Sequence, residues 1–141
     1  YVVALYPNND PGSSEILKAL EERASSPHLR ILPSMKFEAY LTALRHAAVL
    51  VGNSSSGIHE APIYGVPTVN VGSRQHNRSR CASIVNVPFD VDRVVEAVER
   101  VWGERLPPAT DFGTGASATA FLAIIRTSQT WDTRVLKQFR D

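Results

Sequence analysis

Short runs of Val, Ile and Leu alternate along this chain with stretches of helical periodicity, and that alternation limits the fold more than any other feature. "YVVALYP" (1–7), "LRILP" (29–33), "AVLVG" (48–52), "VPTVNVG" (66–72) and "SIVNV" (83–87) read as five strands. A strand, a helix and a further strand in this order form a right-handed crossover, so neighbouring strands run parallel. The apolar runs are continuous rather than alternating, as in sheets that carry helices on both faces. The expected fold class is α/β: a Rossmann-like parallel sheet flanked by helices. The 141 residues suit one domain.

The helices carry local signals. Asp10-Pro11 reads as N-cap and first helical residue. The helix through "SSEILKALEERAS" is expected to stop before Pro27. "FEAYLTALRHA" puts Phe37, Tyr40, Leu41 and Leu44 on one face. The helix Val91–Trp102 does the same with Val91, Val94, Val95, Val98 and Val101. The last third changes character: a Pro- and Gly-rich loop, "GERLPPATDFGTGAS", is followed by a helix "ATAFLAIIRTS" and by "WDTRVLKQFRD". That final segment sets Trp131, Val135, Leu136 and Phe139 among charges, with no surface of its own to cover them.

The bulk properties remove several functions. A net charge of +1 gives no pull toward nucleic acid or an anionic membrane. No run approaches the roughly 20 apolar residues that span a bilayer, and no signal peptide is read. The single Cys81 suits a reducing compartment, so the expected location is the cytoplasm. His28, His46 and His76 show no metal-like spacing, and neither metal nor cofactor is expected. The chain opens at Tyr1 directly in a strand-like run, which reads as a fragment of a longer protein.

The stretch "VGNSSSGIHEAPIYGVPTVNVG" (51–72) carries the chemistry. Open α/β sheets bind ligands beyond the carboxyl ends of their strands, and residues 53–57 follow such an end. A helix starting at Ser55 or Ser56 offers N–H groups to an anion. Ser54, Ser55 and Ser56 add hydroxyls, and Gly57 lets a ligand approach the backbone. Glu60, one turn on, can accept bonds from the vicinal hydroxyls of a ribose. Arg74, Arg78 and Arg80 follow the next strand, on the same edge. The same residues also read as a plain capped helix beside a solvated loop. There is no P-loop and no G-x-G-x-x-G, so the residues alone stop at an anion or nucleotide site.

"YPNNDPGS", "PSMKFEAYLTAL", "VGNSSSGIHEAPIYGVPTVNVGSRQHNR" and "KQFRD" together resemble the hydrolysing UDP-N-acetylglucosamine 2-epimerases. The resemblance extends from end to end. It leans to the bacterial branch that makes N-acetylmannosamine, or a diacetamido analogue, for sialic-acid-type sugars. It implies the C-terminal lobe of a two-lobed GT-B enzyme, without the N-terminal lobe and without the first β/α unit of its own lobe. Residues 1–130 would be the UDP-binding lobe and 131–141 a helix crossing to the N-terminal lobe.

By that resemblance Ser55, Ser56 and Gly57 hold the diphosphate, Glu60 the ribose, and Arg74 reaches the nucleotide. The backbone at Met35, with Phe37 beside it, frames the uracil, and Asn8 lies near the diphosphate or sugar. Phe37 equally fits a core stripe, and Asn8 and Asp10 a plain turn. The reaction eliminates UDP to a glycal and adds water. Its acid and base belong chiefly to the other lobe, so no catalytic residue is expected here and this chain alone would be inactive. Thr114 in "FGTGAS" departs from the acidic residue common in the family. His59 would point about 100° away from Glu60 and pack. The implied partners are a UDP-sugar, the N-terminal lobe and, as an option, a second copy. The alternatives are a GT-B glycosyltransferase donor lobe, which more often shows a second helix glutamate, and a stand-alone nucleotide-sugar binding module.

Overall fold

The computed structural model describes residues 1–132. The element order is β1 (Val2–Leu5), α1 (Ser13–Glu21), β2 (Leu29–Leu32), α2 (Phe37–His46) and β3 (Leu50–Gly52), then α3 (Ser56–His59). A 3-10 turn over Ala61–Tyr64, β4 (Thr68–Val71), β5 (Ile84–Val87), α4 (Val91–Val101), α5 (Ser117–Ile125) and α6 (Ser128–Trp131) complete it. All five expected strands form, and every pairing is parallel. They hydrogen-bond in two groups, β1–β2 and β3–β4–β5, rather than in one continuous sheet. The architecture is the α/β, Rossmann-like one.

β4 is the central strand of its group and shows why its sequence is apolar throughout. Thr68, Val69 and Asn70 are all at most 2% exposed. Val69 packs with Val87, Ala97 and Val101 into a core shared with α4. Thr68 meets α3: a Cβ on Gly57 would lie 2.5 Å from its Cγ2. Helices thus cover β4 on both faces, and its one fully buried amide, Asn70, donates to Asn86 on β5 at 2.7 Å. A second core joins Leu44 of α2 to Ala61 and Val66, around the turn that leads from α3 into β4.

Three local expectations change. Asp10 is not an N-cap: α1 begins at Ser13 behind Gly12, whose φ of 85° suits glycine, and the Asp10 carboxylate is engaged by Arg74 instead. The packed face of α4 is Val94, Ala97, Val98 and Val101. Val95 lies about 160° around the helix from Ala97, and it and Val91 are exposed; the helix is capped by Asp90, which accepts from the Arg93 N–H at 3.0 Å. Phe37, at the head of α2, is 61% exposed and outside the core, whereas Leu44 further along the same stripe is buried. Of the segment 131–141, residues 133–141 lie outside the described residues. Trp131 is exposed, and its indole N–H donates to the Ile125 carbonyl at 2.8 Å.

Gly65 ends the 3-10 turn at φ 63°, and a Cβ there would stand 2.0 Å from the Leu106 carbonyl oxygen. Gly103, at φ 73°, has nothing within 4 Å of its would-be Cβ. Both positions carry the left-handed penalty of about 1–2 kcal/mol; only Gly65 adds a backbone clash, worth about 1–3 kcal/mol more. Gly65→Ala is therefore expected to destabilise the protein by about 2–5 kcal/mol and Gly103→Ala by only about 1–2 kcal/mol. Denaturant midpoints at unchanged m-values check the difference.

Candidate functional site

The serine turn leaves β3 at Gly52 and enters α3 at Ser56, so it sits on the carboxyl edge of the β3–β4–β5 group. Its shape is held from inside. The Ser56 N–H donates to Ser54 Oγ at 3.3 Å and the Gly57 N–H to the Ser54 carbonyl at 3.2 Å. Ser56 is itself buried, and its hydroxyl shares a short hydrogen bond with the Tyr40 hydroxyl of α2. Ser55 is exposed and caps nothing. The first turn of α3 therefore offers fewer free donors than a bare helix start. Ser55 faces outward, whereas Ser56 works as a strut. At Gly57 α3 presses on Thr68, and a Cβ there would lie 2.5 Å from the Thr68 methyl carbon.

Glu60 follows at the end of α3, continuing into the 3-10 turn. Its Oε2 is shut off from solvent and has no hydrogen-bond partner. A buried acceptor left so costs about 1–3 kcal/mol, and more for a charged group. Thr68 Oγ1, beneath α3, is in the same condition. Such atoms in a folded protein call for an explanation, and a donor arriving with a ligand is one.

The segment after β4 reaches back to this turn. Gln75 is 4% exposed and donates from Nε2 to the Asn53 carbonyl at 2.9 Å. Arg78 donates to Gln75 Oε1 at 2.9 Å. Arg74 donates to Asp10 Oδ2 at 2.6 Å, tying the end of β4 to the loop after β1. Asn8, exposed, is two residues from that contact. Met35, in the loop that leaves β2, is half-buried, and Phe37, the first residue of α2, is exposed. Among the described residues, neither is joined to the serine turn by a hydrogen bond or ring contact. Each predicted site residue thus lies on a segment that follows the carboxyl end of a parallel strand, and among the described residues Arg74 touches Asp10 and Ser56 touches Tyr40 between such segments.

His59 does pack: its ring meets Phe112 edge-on at 4.3 Å, beside a cavity of about 220 Å³ that Ile58, Pro62 and Gly113 also line. Cys81 is half-buried, with Sγ 3.2 Å from Ser83 Oγ. Among the described residues no group of three His, Cys, Asp or Glu side chains is placed to hold a metal ion. No described helix is long and apolar enough to cross a membrane. Tyr40 and Gln75 were not legible as site residues. Tyr40 sits on an apolar stripe that accounts for it without its hydroxyl, and a buried glutamine leaves no periodic signal.

The family model for UDP-N-acetylglucosamine 2-epimerase matches residues 1–126. The chain belongs to that family. It is 37% identical to the UDP-N-acetylglucosamine 2-epimerase of Neisseria meningitidis serogroup B, over 99% of this chain and 38% of that protein. It is 28% identical to the UDP-N,N'-diacetylbacillosamine 2-epimerase (hydrolyzing) of Legionella pneumophila, over 89% of this chain and 34% of that protein. A third relative, the polysialic acid biosynthesis protein P7 of Escherichia coli, is 36% identical over 64% of this chain and 23% of its own. The chain spans little more than a third of the length of these curated epimerases.

Tyr40→Phe leaves the buried Ser56 hydroxyl without its partner and is expected to cost about 1–3 kcal/mol of stability. Adding Ser56→Ala removes the orphan and should return part of that loss. Unfolding curves of the two single variants and the double variant check this as a thermodynamic cycle.

Proposed function

We propose that this chain is the UDP-binding lobe of a hydrolysing UDP-N-acetylglucosamine 2-epimerase. The intact protein would convert UDP-N-acetylglucosamine, or a diacetamido analogue, to the free 2-epimer and UDP. The observation that carries the nucleotide role is Glu60 Oε2, buried and without a donor, one turn past the serine turn. A ribose supplies two hydroxyl donors at the spacing a carboxylate accepts. A diphosphate on the same nucleotide then falls toward Ser55 and the arginines that follow β4. Family membership and the relatives' printed activities support the choice of UDP-sugar.

In this reading the lobe contributes binding and electrostatics. Elimination of UDP builds negative charge on the leaving diphosphate, and cations and hydroxyls fixed beside it lower that barrier. Glu60 binds and does not move a proton. The acid and base that act at the sugar ring, the water addition to the glycal and most of the sugar pocket belong to the rest of the protein. Asn8, Met35, Phe37, Ser55, Ser56, Gly57 and Arg74 keep their assigned places around the nucleotide. Ser56 and Gly57 act mainly through backbone and turn shape, since the hydroxyl of one and the missing Cβ of the other are already used. A cytoplasmic location and a protein without metal or cofactor complete the proposal.

The intact protein given UDP-N-acetylglucosamine and no acceptor is expected to release UDP together with a free N-acetylhexosamine epimerised at C2, followed by NMR of the sugar. UDP release only after an acceptor sugar is added would replace the proposal with a glycosyltransferase. Glu60→Ala is expected to weaken UDP binding by about 1–3 kcal/mol, measured by calorimetry. Unchanged affinity with the fold intact would remove Glu60 from the site.

A further inference from the structure

The serine turn is tied to the rest of the fold at three points. Its first residue, Asn53, is held through its carbonyl by Gln75. Gly57, at its end, rests against the Thr68 side chain. Between them the Ser56 hydroxyl meets the Tyr40 hydroxyl of α2. Among the described residues this is the one side-chain hydrogen bond that reaches residues 54–57 from another element.

Tyr40 makes that bond from a fixed base. Its ring packs against the core of Leu44, Ala61 and Val66, and Leu44 lies one turn further along α2. Ser56 is 9% exposed, so the two hydroxyls meet inside the protein. Stability alone does not call for such a pair, since replacing both partners by apolar groups of the same shape is nearly neutral. A directional bond adds a defined position. Ser55, where the proposed function puts the diphosphate, directly precedes Ser56, and its side chain is exposed. The N–H groups of Ser54 and Ser55 have no acceptor among the described residues, whereas those of Ser56 and Gly57 are spent on Ser54. Glu60 is placed differently: it stands between α3 and the 3-10 turn, beside the fully buried Ala61 and two residues from the buried Ile58. Its position does not depend on Tyr40.

We propose that Tyr40 is a positioning residue for the leaving diphosphate: through the Ser56 hydroxyl it sets the place of Ser55 and its turn, without touching the nucleotide. The inference rests on the nucleotide reading given above. Phe37, which frames the uracil in that reading, lies three residues earlier on the same side of α2. One helix then sets the distance between the base and the diphosphate.

The test is calorimetric binding of UDP and of uridine to the intact protein, to Tyr40→Phe and to the double variant Tyr40→Phe/Ser56→Ala. Tyr40→Phe is expected to weaken UDP about three- to tenfold and uridine by no more than about twofold. The double variant should regain part of the lost stability, because no hydroxyl is left orphaned, but none of the lost UDP affinity. With UDP-N-acetylglucosamine as substrate, kcat should fall in both variants by at least the factor by which KM rises, since charge gathers on the diphosphate as it departs. Unchanged UDP affinity, equal losses for UDP and uridine, affinity that returns together with stability in the double variant, or a rise in KM with kcat unaltered would each overturn the proposal. If Tyr40→Phe does not fold, the double variant carries the comparison. UDP binding that needs Glu60 but ignores Tyr40 overturns this inference and leaves the nucleotide reading standing. No UDP binding by the unaltered protein removes both.

Discussion

The rest of the site depends on how closely α3 lies on β4. Gly57 against Thr68 permits an approach that any Cβ would block, since it would stand 2.5 Å from a methyl carbon. That approach buries Ser56, brings its hydroxyl to Tyr40, and leaves the Glu60 and Thr68 oxygens closed off without partners. A site with unpaired buried acceptors is unfavourable in isolation. Donors arriving at these oxygens relieve that cost, and in the proposed function a hydroxyl-bearing ligand supplies them. The 3-10 turn that follows, ended by Gly65 under the Leu106 carbonyl, returns the chain to β4 and locks α3 in place.

Charge is arranged around that turn with little excess. The chain carries a net charge of only +1, yet Arg74, Arg78 and Arg80 cluster after one strand. Asp10 answers one of them across the sheet edge. At about half exposure such a pair adds little stability, roughly 0–1 kcal/mol. Its consequence is organisation: it links the two strand groups at their carboxyl edge.

The strand–helix alternation was legible because it rests on local periodicity, and β1–β5, α2 and α4 all form where the pattern puts them. Asp10 was misread because an Asp-Pro pair signals a helix start locally, while its actual partner lies 64 residues away. The valines of α4 were over-counted because a run of five fits a broad stripe, and packing against β4 selects the Ala97 side. At the site, residue types on a strand edge suggested serines as ligands, and tertiary contacts then divided them into Ser55, facing out, and Ser56, facing in. The bonds from Tyr40 to Ser56 and from Gln75 to Asn53 span 16 and 22 residues, beyond the reach of local periodicity.

The most direct measurement is hydrogen exchange of the intact protein, read by mass spectrometry with and without UDP. The account predicts slowed exchange in peptides covering 53–60 and 73–78 with UDP, and a weaker effect of uridine on 73–78. Protection elsewhere in the protein, with both segments unchanged at saturating UDP, would contradict it.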